Sequence, residues 1–148
     1  MYKDTITLFN RYVDSFGMTK WYPHVISGVN VTNDKSVISS KYGETSKDNV
    51  VLNVRYDIVE DKIMIGDKFY LPPKEWERQP NENLPYTITF TYGNEFDFFV
   101  FGDYGNEEVI NDDNDTFYRE IQKDYDYVFA VTSVAEYSVI PHFEILGK

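Results

Sequence analysis

The sequence predicts a mainly β fold, a β-barrel or β-sandwich of about eight short strands with one or two short helices. Three observations carry this. Apolar and polar residues alternate at period two in run after run. Gly, Asn, Asp and Pro separate the runs at intervals of about 8 to 12 residues, the spacing of strands joined by tight turns. Aromatic residues reach 18% of the chain, with 13 Tyr, 11 Phe and 2 Trp, which suits pleated, half-buried surfaces. Such short intervals leave no room for parallel crossovers, so closure into a barrel or sandwich is expected. At 148 residues the chain is expected to form a single β-rich domain over 1–148.

The elements follow in order. Thr5 to Val13 alternates, with Ile6, Leu8 and Asn10 on one face and Thr7, Phe9 and Arg11 on the other. Asp14-Ser15-Phe16-Gly17 supplies a turn, and His24 to Val31 returns as the second strand after a loop ending in Trp21-Tyr22-Pro23. Val50, Leu52 and Val54 mark the third. Lys62 to Ile65, Gly66-Asp67 and Lys68 to Leu71 read as a two-residue hairpin, because Gly at the first turn position adopts the positive φ that a primed turn requires. Pro72-Pro73 stops that strand, and Lys74 to Gln79 has the length of one helical turn before Pro80. Tyr86 to Tyr92, β-branched or aromatic at almost every position, predicts a strand turned by Gly93-Asn94. Phe96 to Phe101 is apolar apart from Asp97 and predicts a strand buried on both faces. Asp103 to Asp115 is an acidic loop. Thr116 to Lys123 predicts a helix, with Phe117, Ile121 and Tyr125 on one face and Asp112, Asp113 and Asp115 at its N-terminal flank to cap amides. A second helix is placed around Ser36 to Tyr42, and two strands, Tyr127 to Val134 and Val139 to Leu146, end the chain.

Charge narrows the function classes. Lys plus Arg is 14 against 25 Asp plus Glu, a net charge of −11. Duplex affinity comes largely from cations that displace counterions from phosphate, so unassisted nucleic-acid binding is not expected, nor is attraction to an anionic membrane. The absence of Cys removes disulfides, thiolate metal sites and Cys nucleophiles. The N-terminus lacks the basic flank and apolar run of a signal peptide. Production in a cytoplasm, with exit only as part of an assembly, is the expectation.

Reactive motifs are sparse. His24 and His142 stand in no metal-binding or triad spacing and are expected to be surface or strand-end residues. Asp112, Asn114 and Thr116 match the first, third and fifth places of a calcium loop, but Phe117 stands where Gly is required and Lys123 where a bidentate Glu belongs. No phosphate-loop, dinucleotide or nucleophile-elbow motif occurs, and no cofactor, metal or enzymatic activity is expected. Alternating rings such as Phe90 and Tyr92 read as core. Trp21, Tyr22 and Trp76, in Pro-containing segments, are candidate partner anchors, with burial over the barrel ends as the competing reading. Glu107, Glu108, Asp112, Asp113 and Asp115 are the candidate interface acids.

Thr5-Ile6-Thr7-Leu8-Phe9-Asn10-Arg11-Tyr12, followed by Trp21-Tyr22-Pro23-His24-Val25-Ile26-Ser27-Gly28-Val29, resembles the opening of small structural proteins of Firmicutes phages and prophages, encoded beside capsid and tail genes. There, a strand ending N-[KR]-[YF] precedes a Y-x-x-V-[IL]-x-G-V strand. Val131 to Lys148, with its V-T-x-V and H-x-x-[IV]-x-G-K patterns, is similar to their closing strand pair. The resemblance implies a non-enzymatic virion protein of the head–tail neck, connector or head-completion type. Its implied partners are portal, connector or tail-end rings and further copies of itself in a ring, with genome DNA only as passing cargo and no membrane. Its implied place is the virion, after synthesis in the host cytoplasm. Two other readings compete: an acidic, DNA-mimicking inhibitor of a host nuclease or defence system, and a carbohydrate-binding module that stacks sugars on Trp21 and Trp76.

Overall fold

The computed structural model describes residues 2–33 and 50–148, so the helix expected around Ser36 to Tyr42 lies outside the described residues. The fold is mainly β. Its strands are β1 (Asp4–Val13), β2 (Thr19–Asn33), β3 (Val50–Arg55), β4 (Asp57–Val59), β5 (Lys62–Ile65), β6 (Lys68–Tyr70), β7 (Thr87–Ile88), β8 (Phe98–Phe101), β9 (Ile110–Asp112), β10 (Val128–Tyr137) and β11 (His142–Gly147). Helix α1 (Pro73–Glu77) and a 3₁₀ helix (Asn81–Tyr86) precede β7, and α2 (Phe117–Asp124) precedes β10. The strands without a counterpart in the sequence reading are β4 and β9, of three residues each, too short to show a period in the sequence.

The larger sheet runs β1-β8-β10-β11-β3-β2, and β1 pairs with β2 again, so six antiparallel strands close into a barrel while β9 flanks β2. Two long strands turn its corners. In β2, Asp4 pairs with Val29 and Thr5 with Ser27, which leaves Gly28 as an inserted residue at φ 71°. A glycine bulge of this kind bends the strand, and beyond it Asn30 begins pairing with β3. In β10 the register slips between Val131 and Ser133, where pairing passes from β8 to β11. Trp21-Tyr22-Pro23 thus lies within β2 and not in a loop: Pro23, opposite Phe9, is accommodated in the strand while its neighbours pair on both sides.

Ile6, Leu8, Ile26, Val29, Leu52, Val54, Phe99, Phe129, Phe143 and Ile145 fill the interior. The small sheet β4-β5-β6-β7 adds Ile65 and Ile88 to the same core, and Phe143 packs against Tyr56, Tyr70 and Phe90 with ring centroids 4.6–5.2 Å apart. The Gly66-Asp67 hairpin forms as expected, with Ile65 opposite Lys68 and Gly66 at φ 62°. Outside the barrel, α2 and the 102–115 segment cover Phe9, Phe98 and Val100, so β8 is buried on both faces through Val100, while it starts only at Phe98 and its last residue, Phe101, is exposed. Gly147 sits where a Cβ would come within 3.1 Å of Val50 and Phe129 side chains, which explains the glycine before the terminal Lys148.

The segment Tyr86 to Tyr92 departs from expectation. Only Thr87–Ile88 joins a ladder, although Thr89 and Phe90 are buried. Two side chains replace the missing strand partner. Asn10 Nδ2 donates to the Thr89 carbonyl (2.7 Å) and Asn10 Oδ1 accepts from Thr89 N–H (3.3 Å). Asp97 accepts from Thr91 N–H, Arg11 N–H and Asn10 Nδ2, each at 2.8 Å. The Asp97 backbone donates to Thr91 O and accepts from Val131 N–H. Asp97 thus ties together three parts of the chain, its fully buried carboxylate joining β1 to the 89–91 segment and its backbone carbonyl joining β10.

Burial pushes the Asp97 carboxyl up to about 7, against donors that pull it down. Burial first, and the Lys68 ammonium second, hold His24 down at about 3. The folded chain therefore keeps a proton on Asp97 that the unfolded chain releases above about pH 3.8, so this group adds stability as pH falls from about 7 toward 3.8. His24 has the opposite sign: the unfolded chain takes up a proton below about pH 6.5 that the folded chain refuses, and stability is lost as pH falls. In urea titrations between these limits, Asp97→Asn is expected to lose stability relative to the parent as pH falls, and His24→Asn to gain. Slopes of the same sign would contradict the assignment.

Candidate docking surface

The three candidate anchor rings are core residues. Trp21 lies in β2 facing outward under α2, 2% exposed; its Nε1 donates to Asp112 Oδ2 at 2.9 Å and its ring meets Phe98 at 4.9 Å. Tyr22, on the opposite face of β2, and Trp76 of α1 pack with Tyr12 and Leu84 in a separate apolar cluster, and Trp76 Nε1 donates to Thr87 O. Tyr22 and Trp76 are buried where α1 and the 3₁₀ helix, entered through Pro72 and Pro80, pack against the β1–β2 hairpin. Neither Trp21 nor Trp76 offers a stacking face to a sugar, which overturns the carbohydrate-platform expectation.

The acidic candidates divide. Asp112 is buried and structural: Oδ1 accepts from Thr116 N–H, and Oδ2 from Phe117 N–H and Trp21 Nε1, so it caps α2 as the sequence predicts but presents no charge to a partner. Glu107 is exposed, yet its Oε1 accepts from Val25 N–H at 2.7 Å and lies 3.7 Å from Lys68. Asp115 stands 3.7 Å from Arg11, whose other terminal nitrogen is 3.0 Å from Glu95. Glu108 and Asp113 are exposed. Most of these acids thus hold the 103–115 segment to the barrel.

His24 departs furthest from expectation. It points into the barrel, fully buried, and its Nδ1 accepts from Lys68 Nζ at 2.9 Å, while its buried Nε2 has no hydrogen-bond partner among the described residues. In the resulting line, His24 to Lys68 to Glu107, the partly buried Lys68 ammonium donates to the imidazole and faces the Glu107 carboxylate. His142 opens β11, where it stacks on Tyr137 and donates to the Ile140 carbonyl. Among the described residues no group of three or more His, Asp or Glu side chains is placed to hold a metal ion.

Sequence reasoning missed the most exposed apolar surface. The β10–β11 turn carries Val139 at 96% and Ile140 at 71% exposure, beside half-exposed Tyr137. Tyr56, which links β3 to β4, donates N–H to Pro141 O and its hydroxyl to Tyr137 O. This brings the turn next to β4, whose Ile58 and Val59 are also exposed. β4 pairs only with β5, so its other edge is open among the described residues. Reading Val139 onward as strand concealed the turn; Ser138 and Pro141 around two apolar residues were the available signal.

With this geometry in place, the comparisons identify a family. The chain belongs to DUF6751, a family of unknown function. The family profile matches residues 1–148, the entire chain given. No curated protein and no solved structure matches it.

The two surfaces separate by stability. Trp76→Ala is expected to cost about 3–5 kcal/mol in urea unfolding, whereas Val139→Asp changes stability by no more than about 0.5 kcal/mol. The reverse order would place the docking surface at the wrong end of the molecule.

Proposed function

We propose that this protein is a non-enzymatic structural component of a phage virion, of the neck, connector or head-completion type. The observation that carries the docking role is the end formed by Val139, Ile140 and the open β4 edge. A well-fastened barrel has no internal reason to expose an apolar turn beside an unpaired strand, since such surfaces invite association. A neighbour that adds a strand to β4 while burying the turn makes a heterologous contact, and repetition of that contact around an axis closes a ring. The phage setting is supported by the resemblance of the two chain ends. A net charge of −11 suits a wall past which DNA travels, because like charge disfavours non-specific adhesion.

The inhibitor reading has less support. A DNA mimic presents free carboxylates at phosphate-like spacing, but Glu107, Asp112 and Asp115 are engaged with Lys68, the α2 amides and Arg11. Mass spectrometry of purified particles from a strain carrying the gene is the test. The protein is expected in particles at a constant multiple per portal, and a Val139→Asp, Ile140→Asp variant is expected to be depleted from them. Absence of the parent from particles, with stoichiometric inhibition of a host nuclease, would overturn the reading.

A further inference from the structure

Beside the exposed turn lies a groove of about 500 Å³, in the size range of ligand pockets. Its floor comprises Ile63, Phe69, Tyr70, Leu71 and Pro72, and its rim carries Asp61, Glu75, Glu136 and Lys62. We infer that this groove receives an arginine side chain presented by the protein that docks on this end. The inference rests on the docking reading and names the chemistry of the partner.

The charge pattern selects the occupant. Three carboxylates face one ammonium, and none of Asp61, Glu75 and Glu136 is in an ion pair among the described residues. They come from three elements: the β4–β5 turn, α1 and the end of β10. Glu136 and Glu75 both act on the Tyr70 hydroxyl, which burial first and these two carboxylates next push up to about 12. The two acids line the same groove as this ring, from different elements. An anion would be repelled here, and a purely apolar side chain would bury carboxylates without partners, which is costly.

The ring surface favours a cation as well. Lys62 Nζ already lies 5.3 Å from the Phe69 ring centroid, so this face accommodates positive charge. Arginine fits better than lysine because its planar guanidinium stacks on an aromatic face and offers donors to two carboxylates at once, while its aliphatic stem covers the apolar floor.

Amide chemical shifts of the full chain, followed during titration with acetyl-Gly-Arg-Gly-amide, test this directly. Saturable shifts are expected at Phe69, Tyr70 and Leu71, weakening with salt. The citrulline peptide, isosteric but uncharged, is expected to bind at least about tenfold more weakly, and Glu75→Gln with Glu136→Gln to weaken arginine binding by about tenfold. Both glutamates are exposed, so the variant is expected to keep the parent's unfolding midpoint, which is measured alongside. Equal binding of the citrulline peptide, shifts confined to other surfaces, or no saturable shift up to the peptide's solubility limit would overturn the inference. Presence in particles without arginine binding would sink this inference alone. Arginine binding by a protein absent from particles would sink the virion reading and leave the groove assignment standing.

Discussion

The buried Asp97 carboxylate is the constraint on which the barrel depends. It satisfies three donors at 2.8 Å, two of them the backbone amides of Arg11 and Thr91. Removing it would leave those donors unpaired in the interior, at about 1–3 kcal/mol each. Asn10 completes the arrangement by imitating a peptide group toward Thr89. The 89–91 segment can then follow the core without the ladder its sequence suggests, carrying Phe90 onto Phe143. Everything downstream relies on this: Tyr70 and Phe143 pack with Phe90, and the small sheet is seated through Tyr70.

A second consequence concerns how the rings are distributed. Trp21, Phe9 and Phe98 seal the barrel's outer face under α2, Tyr22 and Trp76 seal its hairpin end, and Tyr56, Tyr70, Phe90 and Phe143 occupy its centre. Among the exposed aliphatic residues, Val139 and Ile140 of the β10–β11 turn and Ile58 and Val59 of β4 lie together, whereas exposed rings such as Phe16, Tyr86 and Tyr92 lie elsewhere on the surface. Exposure of Val139, Ile140, Ile58 and Val59 supplies a surface on which a partner gains by excluding water.

The fold class was legible because period-two patterning reports a local property: Ile6, Leu8 and Asn10 face inward and Thr7, Phe9 and Arg11 outward, as alternation requires. The Gly66 hairpin and the Asp112 cap were legible for the same reason, since each involves residues within a few positions of one another. What escaped was set by distant partners. Tyr86 to Tyr92 has the composition of a strand, but contacts to Asn10 and Asp97 decide its pairing. His24 reads as a surface residue until Lys68, 44 positions away, is brought against it. The N-R-Y and S-G-V residues that carry the phage resemblance prove to be fold-bearing: Asn10 and the Arg11 amide belong to the Asp97 clamp, and Gly28 makes the bulge that turns β2. The docking end was the least legible part, because Val139-Ile140 obeys the composition of a strand and only the three-dimensional path shows that nothing among the described residues covers it.

The central claim is that this chain works by presenting one end of a rigid barrel to neighbouring protein subunits. An electron cryo-microscopy reconstruction of the assembly proposed to contain it tests this most directly. The account predicts density from an adjoining subunit against Val139, Ile140 and the outer edge of β4. Those residues standing in solvent, with the 103–115 segment forming the contact instead, would contradict it.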